Sequence, residues 1–300
     1  NPARPERRTP SPRASVGELR SRLATRLPAA GGDGICSGSR VGTHHSQLDG
    51  SSVSDAWAAG QLSVVFQPIV DLRNGRVFAH EALARCSAPG LQSPPVLFEH
   101  AIEQRVCGEL GRRIRDLAVE GCAGHPLFLN IHPAEFAERW LVQPDDPIFS
   151  HEPGVFLEVT ESVPLSHFEL VSQILREVRG KGVGLVVDDL GAGYSNLRYI
   201  ADLNPEVVKL DRGLIEGLHA DERRQKLVGA IVRLCEDLDA EVVAEGIETV
   251  EELDCVRSVG VRYVQGYLLA RPATPPPEPS SVPPPDPRYR KRSRKLRATR

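Results

Sequence analysis

Short apolar segments and longer amphipathic segments alternate through the central part of the chain, between about 52 and 271. The apolar segments are rich in β-branched residues and nearly continuous in apolar character, as is typical of strands that are buried on both faces. The eight predicted strands are VVFQPIV (64–70), VFAHEAL (77–83), LFLNI (127–131), VFLEV (155–159), VGLVV (183–187), VVKL (207–210), EVVAE (241–245) and VRYVQG (261–266).

Helical segments fill most of the gaps between these strands. Apolar positions recur at helical spacing over 95–121 and over 221–239. Capping boxes, in which Ser or Thr is followed three residues later by Glu, predict helix starts at Ser166 and Thr249. The second of these helices is expected to end at Gly260, because glycine is favoured directly after a helix.

The first two strands are joined differently from the others. Only six residues separate them, with Asn74-Gly75 at the centre, which predicts a hairpin turn and antiparallel pairing. The remaining strands follow one another through helices and are expected to be parallel. The chain is therefore predicted to have an α/β fold, a (β/α)8 TIM-like barrel with an antiparallel first strand. An open doubly wound sheet is the alternative, although no Gly-rich phosphate-binding fingerprint follows any strand.

The two ends of the chain differ from the centre in composition. Residues 1–50 are rich in Pro, Arg, Gly and Ser and indicate a disordered segment or linker. Residues 272–287 hold nine prolines in sixteen positions, which is typical of an extended spacer. We therefore expect a folded domain at 51–272 and a Pro-rich and basic disordered tail at 273–300.

Charge is distributed unevenly along the chain. The net charge of −3 combines +5 over residues 1–30, +8 over 288–300 and −16 over 31–287. The acidic central part of the chain, residues 31–287, argues against duplex nucleic acid as a partner. The same balance fits a domain that gathers carboxylates around divalent cations. The basic tail leaves contact with an anionic lipid surface open, beside the simpler interpretation as a solvated tail.

The six cysteines show no CxxC spacing, so that the sequence suggests neither a zinc knuckle nor a redox pair. We expect them to be reduced and buried as small apolar side chains. The longest apolar run is far shorter than the roughly 18 residues that a membrane-spanning helix needs.

Polar side chains follow the predicted strands at the end where the active site of a (β/α)8 barrel lies. A single carboxylate after a strand is usually a helix cap, but a set on many strands would converge on one rim. Glu81 ends the second predicted strand and Arg85 lies one step beyond it. The full set is Gln67, Glu81, Arg85, Asn130, Glu158, Glu161, Asp188, Asp189, Lys209, Asp211, Glu245, Glu248 and Gln265.

Crowded carboxylates repel each other and become protonated unless a cation neutralises them. Oxygen ligands without His or Cys favour Mg²⁺ or Mn²⁺ over zinc. Such a site suits in-line displacement at phosphorus, where the ions activate a water and stabilise the leaving oxygen. Lys209 and Arg85 would supply positive charge for the phosphate oxygens.

Motifs spread over residues 53–272 closely resemble the EAL domain, the bacterial phosphodiesterase module for cyclic di-GMP. They occur in the family's order and cover the whole module. The matching segments are FQPIVDL (66–72), HEALAR (80–85), FLNIHP (128–133), LEVTES (157–162), DDLGAGYSNL (188–197), KLD (209–211), AEGIET (244–249) and VQGYLLARP (264–272).

The resemblance implies two metal ions, Mg²⁺ or Mn²⁺, and a reaction that opens cyclic di-GMP to linear pGpG. The residues implied to hold the first ion are Glu81, Asn130, Glu158 and Asp188. Those implied to serve the second ion and the attacking water are Asp188, Asp189 and Glu245. Lys209 would position the same water, and Glu245 is the expected general base. Calcium is expected to inhibit, because it is larger and less strict in geometry than magnesium.

The resemblance also implies positions that contact the substrate or support the site. Gln67 and Arg85 would contact the guanine and phosphate regions of the ligand, and Gln265 would lie at the site. The implied supporting residues are Asp211 and Glu248 near the metal ligands and Glu161 as an anchor of the loop 190–199. That loop would also be the surface through which such domains dimerise.

Two residues of this loop depart from the family pattern. Leu190 replaces the usual Phe and keeps an apolar anchor, whereas Ala192 replaces the usual Thr and loses a hydroxyl. A lost hydrogen bond of about 1 kcal/mol would loosen the loop and slow catalysis.

An active phosphodiesterase is the leading hypothesis. The alternatives are a domain that senses cyclic di-GMP without cleaving it and a protein-interaction scaffold. A cytoplasmic location is expected, and an upstream sensor domain is left open.

Overall fold

A closed eight-stranded barrel forms the centre of the computed structural model, which describes residues 52–138, 140–160, 168–192 and 197–280. The strands are β1 Leu62–Asp71, β2 Arg76–Cys86, β3 Leu127–Asn130, β4 Val155–Thr160, β5 Gly184–Leu190, β6 Val207–Leu210, β7 Glu241–Ala244 and β8 Tyr263–Val264. Their order around the barrel follows their order in the chain. The closed barrel confirms the predicted architecture and excludes the open sheet.

The first strand runs against its neighbours. β1 pairs antiparallel with β2 and with β8, whereas the other neighbouring strands pair in parallel. The hairpin turn at Asn74-Gly75 is confirmed, with Gly75 at φ 71° and its N–H donating to the Asp71 carbonyl over 2.8 Å. Glycine adopts this left-handed backbone without the strain that a side chain would add.

Helices surround the barrel in the described residues. The α-helices are α1 Val53–Ala58, α2 Pro94–Glu103, α3 Cys107–Gly121, α4 Phe168–Arg179, α5 Arg198–Leu203, α6 Arg212–Ile215, α7 Glu222–Asp237 and α8 Val250–Val259. Short 3₁₀ helices occupy Pro133–Ala137, Trp140–Val142, Pro147–Phe149 and Leu218–Ala220. None of the described helices is long and apolar enough to cross a membrane.

The structure confirms the predicted start and end of α8 and divides the predicted helical segment 95–121 into two helices. The capping box of α8 is present, with the Glu252 N–H donating to Thr249 Oγ1 over 3.2 Å, and the helix ends at Gly260 with φ 104°. The segment 95–121 is two helices, because Arg105 adopts φ 59° between α2 and α3 and breaks the helical path. The predicted capping box at Ser166 lies outside the described residues.

The barrel interior consists of an apolar layer below a polar layer. The apolar layer contains Ile69, Ala79, Phe128, Val186, Val207, Val243 and Tyr263, with Phe78 and Phe156 packed against it. A second and larger core lies between the barrel and the surrounding helices. Because side chains on a strand alternate between its two faces, a polar residue two positions from an apolar interior residue faces the same interior.

Candidate active site

Each strand contributes to the polar layer through this two-residue spacing. On β6, for example, Lys209 lies two positions beyond Val207, and on β4 Glu158 lies two positions beyond Phe156. On β1 the order is reversed, so that Gln67 precedes Ile69, because this strand runs antiparallel to its neighbour. The interior polar residues that result are Gln67, Glu81, Asn130, Glu158, Asp188, Lys209, Glu245 and Gln265.

The Lys209 ammonium lies at the centre of this polar layer. It is 1% exposed, and four carboxylates from four other strands or strand ends surround its Nζ atom. The distances from Nζ are 2.7 Å to Glu245 Oε1, 2.8 Å to Glu158 Oε1, 3.2 Å to Asp188 Oδ1 and 3.5 Å to Glu81 Oε2. Burial alone would lower the pKa of Lys209, but the surrounding carboxylates outweigh it and raise this pKa well above its usual value.

Glu158 is the most deeply buried of the four carboxylates, with no exposed surface. Its two oxygens make no hydrogen bond of regular geometry within the described part of the chain, although Oε1 lies close to Lys209. Burial first, and the neighbouring charge of Glu81 next, raise the pKa of Glu158 well above its usual value. The Lys209 ammonium therefore offsets part of the desolvation of Glu158, whereas Glu158 Oε2 has no hydrogen-bond partner among the described residues.

Side-chain amides hold Glu81 from two sides. Asn130 Nδ2 donates to Glu81 Oε1 over 3.0 Å, and Gln265 Nε2 donates to Glu81 Oε2 over 2.6 Å. Burial acts to raise the pKa of Glu81, but Lys209 and these amide donors reverse the shift and lower it. Gln265 Nε2 also donates to Gln67 Oε1 over 3.0 Å, which joins β8, β1 and β2 at the barrel mouth.

A second group of carboxylates lies at the C-terminal ends of β5 and β7. Oxygens of Asp188, Asp189 and Glu245 lie within 4.8 Å of one another. The Asp189 backbone has φ 60°, and its N–H donates to Asp188 Oδ1 over 2.9 Å. Burial, with the charge of Asp188 second, raises the pKa of Asp189 to about 6. Burial also raises the pKa of Glu245, to about 8, although Lys209 opposes the shift.

With the exception of the fully buried Glu158, the interior polar residues and Asp189 line a cavity of about 410 Å³ at the mouth of the barrel. Its lining includes residues that the sequence analysis did not select, namely Leu83, Arg212, Gly246, Gly266 and Tyr267. Arg212 Nη1 lies 2.9 Å from Glu248 Oε1, and the guanidinium of Arg271 lies 4.3 Å from the centre of the Tyr267 ring. Tyr267 is 48% exposed. Its position directly after Gln265-Gly266 is the sequence feature that could have identified it as a residue of the site.

Not every predicted site residue lies in the cavity. Glu81 does not end the second strand, as the sequence suggested, but lies in its middle, because β2 extends to Cys86. Arg85 is absent from the cavity lining, and its Nη1 donates to the Ala84 carbonyl over 2.8 Å. Asp211 caps α6 by accepting from the Gly213 N–H over 2.8 Å. Glu248 does line the cavity, whereas Glu161 lies outside the described residues.

Leu190, the last residue of β5, is buried as the predicted apolar anchor of the loop that follows. This side chain is 1% exposed, and its carbonyl accepts from the Asp211 N–H over 3.1 Å. Ala192 is exposed, and its N–H donates to the Asp189 carbonyl over 3.0 Å. Residues 193–196 of the predicted dimerisation loop lie outside the described residues.

The donor set fits hard divalent cations. Five carboxylates and one ammonium leave an excess of negative charge at one mouth, and a single Lys cannot neutralise it. Within the described residues Glu158 Oε2 has no hydrogen-bond partner, and Asn130 contributes an amide group with an oxygen ligand. Carboxylate and amide oxygens without His or Cys are the ligands that Mg²⁺ and Mn²⁺ prefer.

The fold and the site together define a (β/α)8 barrel with an antiparallel first strand and an acidic mouth. Comparison with family models shows to which family of such barrels the chain belongs. The EAL domain model matches residues 51–272, which is most of the chain. The chain belongs to the EAL domain family.

Curated relatives are about a third identical to this chain over the aligned residues. It is 33% identical over 226 residues to the bifunctional diguanylate cyclase/cyclic di-GMP phosphodiesterase MucR of Pseudomonas aeruginosa, over 71% of this chain and 33% of that protein. It is also 33% identical over 228 residues to the cyclic di-GMP phosphodiesterase NbdA of the same organism, over 71% of this chain and 29% of that protein. The chain thus spans about a third of the length of these relatives.

Solved structures show the same fold with ligand bound. A cyclic di-GMP complex of the PaMucR phosphodiesterase is 30% identical, with a TM-score of 0.65 over 74% of this chain and 96% of that chain. A manganese/cyclic di-GMP complex of Klebsiella pneumoniae BlrP1 is 30% identical, with a TM-score of 0.64 over 74% of this chain and 59% of that chain. A calcium/cyclic di-GMP complex of BlrP1 is 32% identical, with a TM-score of 0.64 over 71% of this chain and 56% of that chain.

Proposed function

We propose that this chain is an active, metal-dependent phosphodiesterase that hydrolyses cyclic di-GMP to linear pGpG. One observation carries the proposal. Carboxylates on or directly after β2, β4, β5 and β7 converge on Lys209 at the mouth of the barrel, and all of them except the fully buried Glu158 line a cavity that is open to solvent. Family membership supports the substrate, because the relatives are named as cyclic di-GMP phosphodiesterases.

Two ions of Mg²⁺ or Mn²⁺ are proposed at the acidic mouth. When bound, they would activate a water and neutralise the phosphate oxygens during in-line displacement. The residues proposed to hold one ion are Glu81, Asn130, Glu158 and Asp188. Those proposed to hold the other are Asp188, Asp189 and Glu245, whose oxygens already lie within 4.8 Å of one another.

Glu245 is proposed as the general base. Burial raises its pKa to about 8 in the metal-free site, and the nearby Lys209 together with a bound cation would favour the carboxylate form, in which it can accept a proton. Lys209, 2.7 Å from Glu245 Oε1, would hold the Glu245 carboxylate in place and help to position the attacking water. The raised pKa of Lys209 keeps its own charge throughout, so that it acts as an electrostatic group and not as an acid.

Substrate recognition is proposed to use the amides and the cationic rim. Gln67 and Gln265 present hydrogen-bonding groups inside the cavity, and Gln67 Nε2 donates to the Ala270 carbonyl over 3.1 Å. The exposed Tyr267 ring offers a flat surface for a purine base, and Arg212 offers charge for a phosphate. Arg85 stays a predicted substrate contact that would need to move toward the cavity.

The test is turnover of cyclic di-GMP by the purified chain, with Mg²⁺, Mn²⁺ and Ca²⁺ compared. We expect linear pGpG with the first two ions and inhibition by calcium. Glu81→Gln removes one negative ligand at nearly constant volume and should abolish hydrolysis. The matched control, Glu120→Gln on the exposed face of α3, should retain full activity. Unchanged hydrolysis by Glu81→Gln would overturn the site assignment.

The same purified protein distinguishes the two alternative functions, a sensor that does not cleave cyclic di-GMP and a protein-interaction scaffold. If no product forms with any ion, binding of cyclic di-GMP is measured in calcium. Retained affinity would establish a sensor that does not cleave its ligand, and absent affinity would establish a scaffold. Either result would refute the proposed hydrolysis.

The cellular setting is proposed from the ligand and the cysteines. We propose a cytoplasmic location, because cyclic di-GMP is a cytoplasmic messenger and the five described cysteines are free and buried. We also propose a homodimer through the loop 190–199, a linker at residues 1–50 and membrane contact by the basic tail. Sedimentation of the purified chain tests the dimer.

A further inference from the structure

A cluster of metal-ligating side chains lies on the opposite face of β2 from the acidic mouth. His80 precedes Glu81, and because neighbouring strand residues face opposite sides, its ring points away from the barrel interior. There it meets Cys122 at the end of α3 and His125 in the turn before β3. One ligand atom from each of the three residues lies within 4.8 Å of the others.

The contacts of His80 show which of its nitrogens faces the cluster. Its Nε2 lies 3.5 Å from the carbonyl oxygen of Pro277, which can only accept a hydrogen bond, and we assign the ring proton to Nε2 on this basis. The other nitrogen, Nδ1, then carries a lone pair and faces Cys122 Sγ at 3.8 Å. Metal-bound histidines usually have this arrangement, with the second ring N–H donated to a backbone carbonyl.

The other two residues complete a soft ligand set. Cys122 and His125 are three residues apart in one turn, which is the short spacing that zinc ligands use. The rings of His80 and His125 lie 5.0 Å apart at 74°, and a nitrogen of each ring lies within 4.8 Å of the other and of Cys122 Sγ. His80 and Cys122 are 2% and 3% exposed, whereas His125 is half-buried and leaves a path from solvent.

We propose that His80, Cys122 and His125 form a second metal site for a zinc-like divalent ion, separate from the acidic mouth. Imidazole and thiolate ligands select such an ion over Mg²⁺. Binding converts the Cys122 thiol to a thiolate and releases one proton to solvent. Three protein ligands leave the fourth position to water.

A metal at this site would connect three separate parts of the fold. It would tie β2, which carries Glu81, to the end of α3 and to the turn before β3. Through His80 it would also fix the segment near Pro277, which follows the backbone pairing of Ala273 with Phe66. The ion would therefore stabilise the fold without contacting the substrate.

The test is titration of the full chain with Co²⁺, which reports thiolate ligation through a charge-transfer band in the near ultraviolet. Carboxylates at the acidic mouth give no such band, so that the two sites are distinguished. We expect the saturated band in the wild type to correspond to one thiolate-bound cobalt per chain and to disappear when Zn²⁺ displaces the cobalt. It should be lost in Cys122→Ser and in His125→Gln.

Cys107→Ser is the matched control. Cys107 Sγ lies 3.9 Å from His132 Nδ1, but that nitrogen already accepts from the Ala134 N–H over 3.2 Å, and the two residues belong to no three-ligand cluster within the part of the chain that the structure describes. This variant should keep the band. If Cys122→Ser fails to fold, as judged by circular dichroism, His125→Gln carries the test from its half-exposed position. Absence of the band in the wild type, or its persistence in His125→Gln, would overturn the proposal.

Discussion

Replacement of Lys209 by methionine tests the charge balance of the barrel mouth. The substitution keeps the length of the side chain and removes its charge from the centre of four carboxylates, which lie 2.7–3.5 Å from Nζ. In the metal-free protein these carboxylates would then face one another without a cation. We expect a large loss of stability, because an unpaired charge in a buried site is costly.

The size of the loss can be worked from the burial of the group. Removing one partner of a buried ion pair costs about 3–5 kcal/mol, and Lys209 is 1% exposed. For a domain of this size, each 1 kcal/mol shifts Tm by about 2–4 °C, so that the expected fall in Tm is roughly 6–20 °C. Protonation of the carboxylates limits the loss. Glu158 and Glu245 already have raised pKa values and would take up protons first.

The sign of the pH dependence follows from this protonation. A carboxylate whose pKa is higher in the folded than in the unfolded state binds more protons in the folded state, and stability then falls as the pH rises. The deficit of Lys209→Met should therefore be larger near pH 9 than near pH 5. Added Mn²⁺ should restore part of it, since binding at 100 times Kd contributes about 2.7 kcal/mol.

The assay is thermal and urea unfolding with a chelator, then with Mn²⁺, at both pH values. The control is Lys226→Met, the same substitution at an exposed position on α7, which should change stability by no more than about 0.5 kcal/mol. A Lys209→Met protein as stable as the wild type would refute the reasoning. So would an equal loss in Lys226→Met, because the effect would then come from the methionine and not from the site.

Further predictions concern groups inside and outside the site. Arg115→Met should cost about 3–5 kcal/mol in urea unfolding, because Arg115 pairs with the fully buried Glu135 at 2.6 Å and with Asp146 at 2.9 Å; a loss below about 1 kcal/mol would contradict it. Thr249→Ala should cost about 1 kcal/mol through its helix cap, and Thr249→Ser should recover most of this. In chelator, the raised pKa of Glu245, about 8, should make its contribution to stability fall as the pH rises from about 4.5 toward 8, and a stability difference between the wild type and Glu245→Gln that stays constant over this range would refute that assignment.

Local patterns in the sequence were sufficient to predict much of the fold. The near-continuous apolar runs, the Asn74-Gly75 turn and the Thr249 capping box depend on neighbouring residues only, and the structure confirms all three. The length of β2 was underestimated, because its apolar character weakens after Leu83 while its pairing with β1 continues to Cys86. Pairing with a partner strand, which has no signature in the strand itself, decided where β2 ends.

The sequence by itself determined which residues could take part in the site, because a polar residue at a two-residue spacing from an apolar one must share its face of the strand. Only the tertiary structure decided how these residues meet. The four carboxylates around Lys209 are separated from it by 21 to 128 positions in the chain, and barrel closure alone brings them within hydrogen-bonding distance. The cluster of His80, Cys122 and His125 has the same origin, since its distant member, His80, comes from a strand 42 residues before Cys122. Contacts between residues so far apart depend on the path of the whole chain, and no local pattern records them.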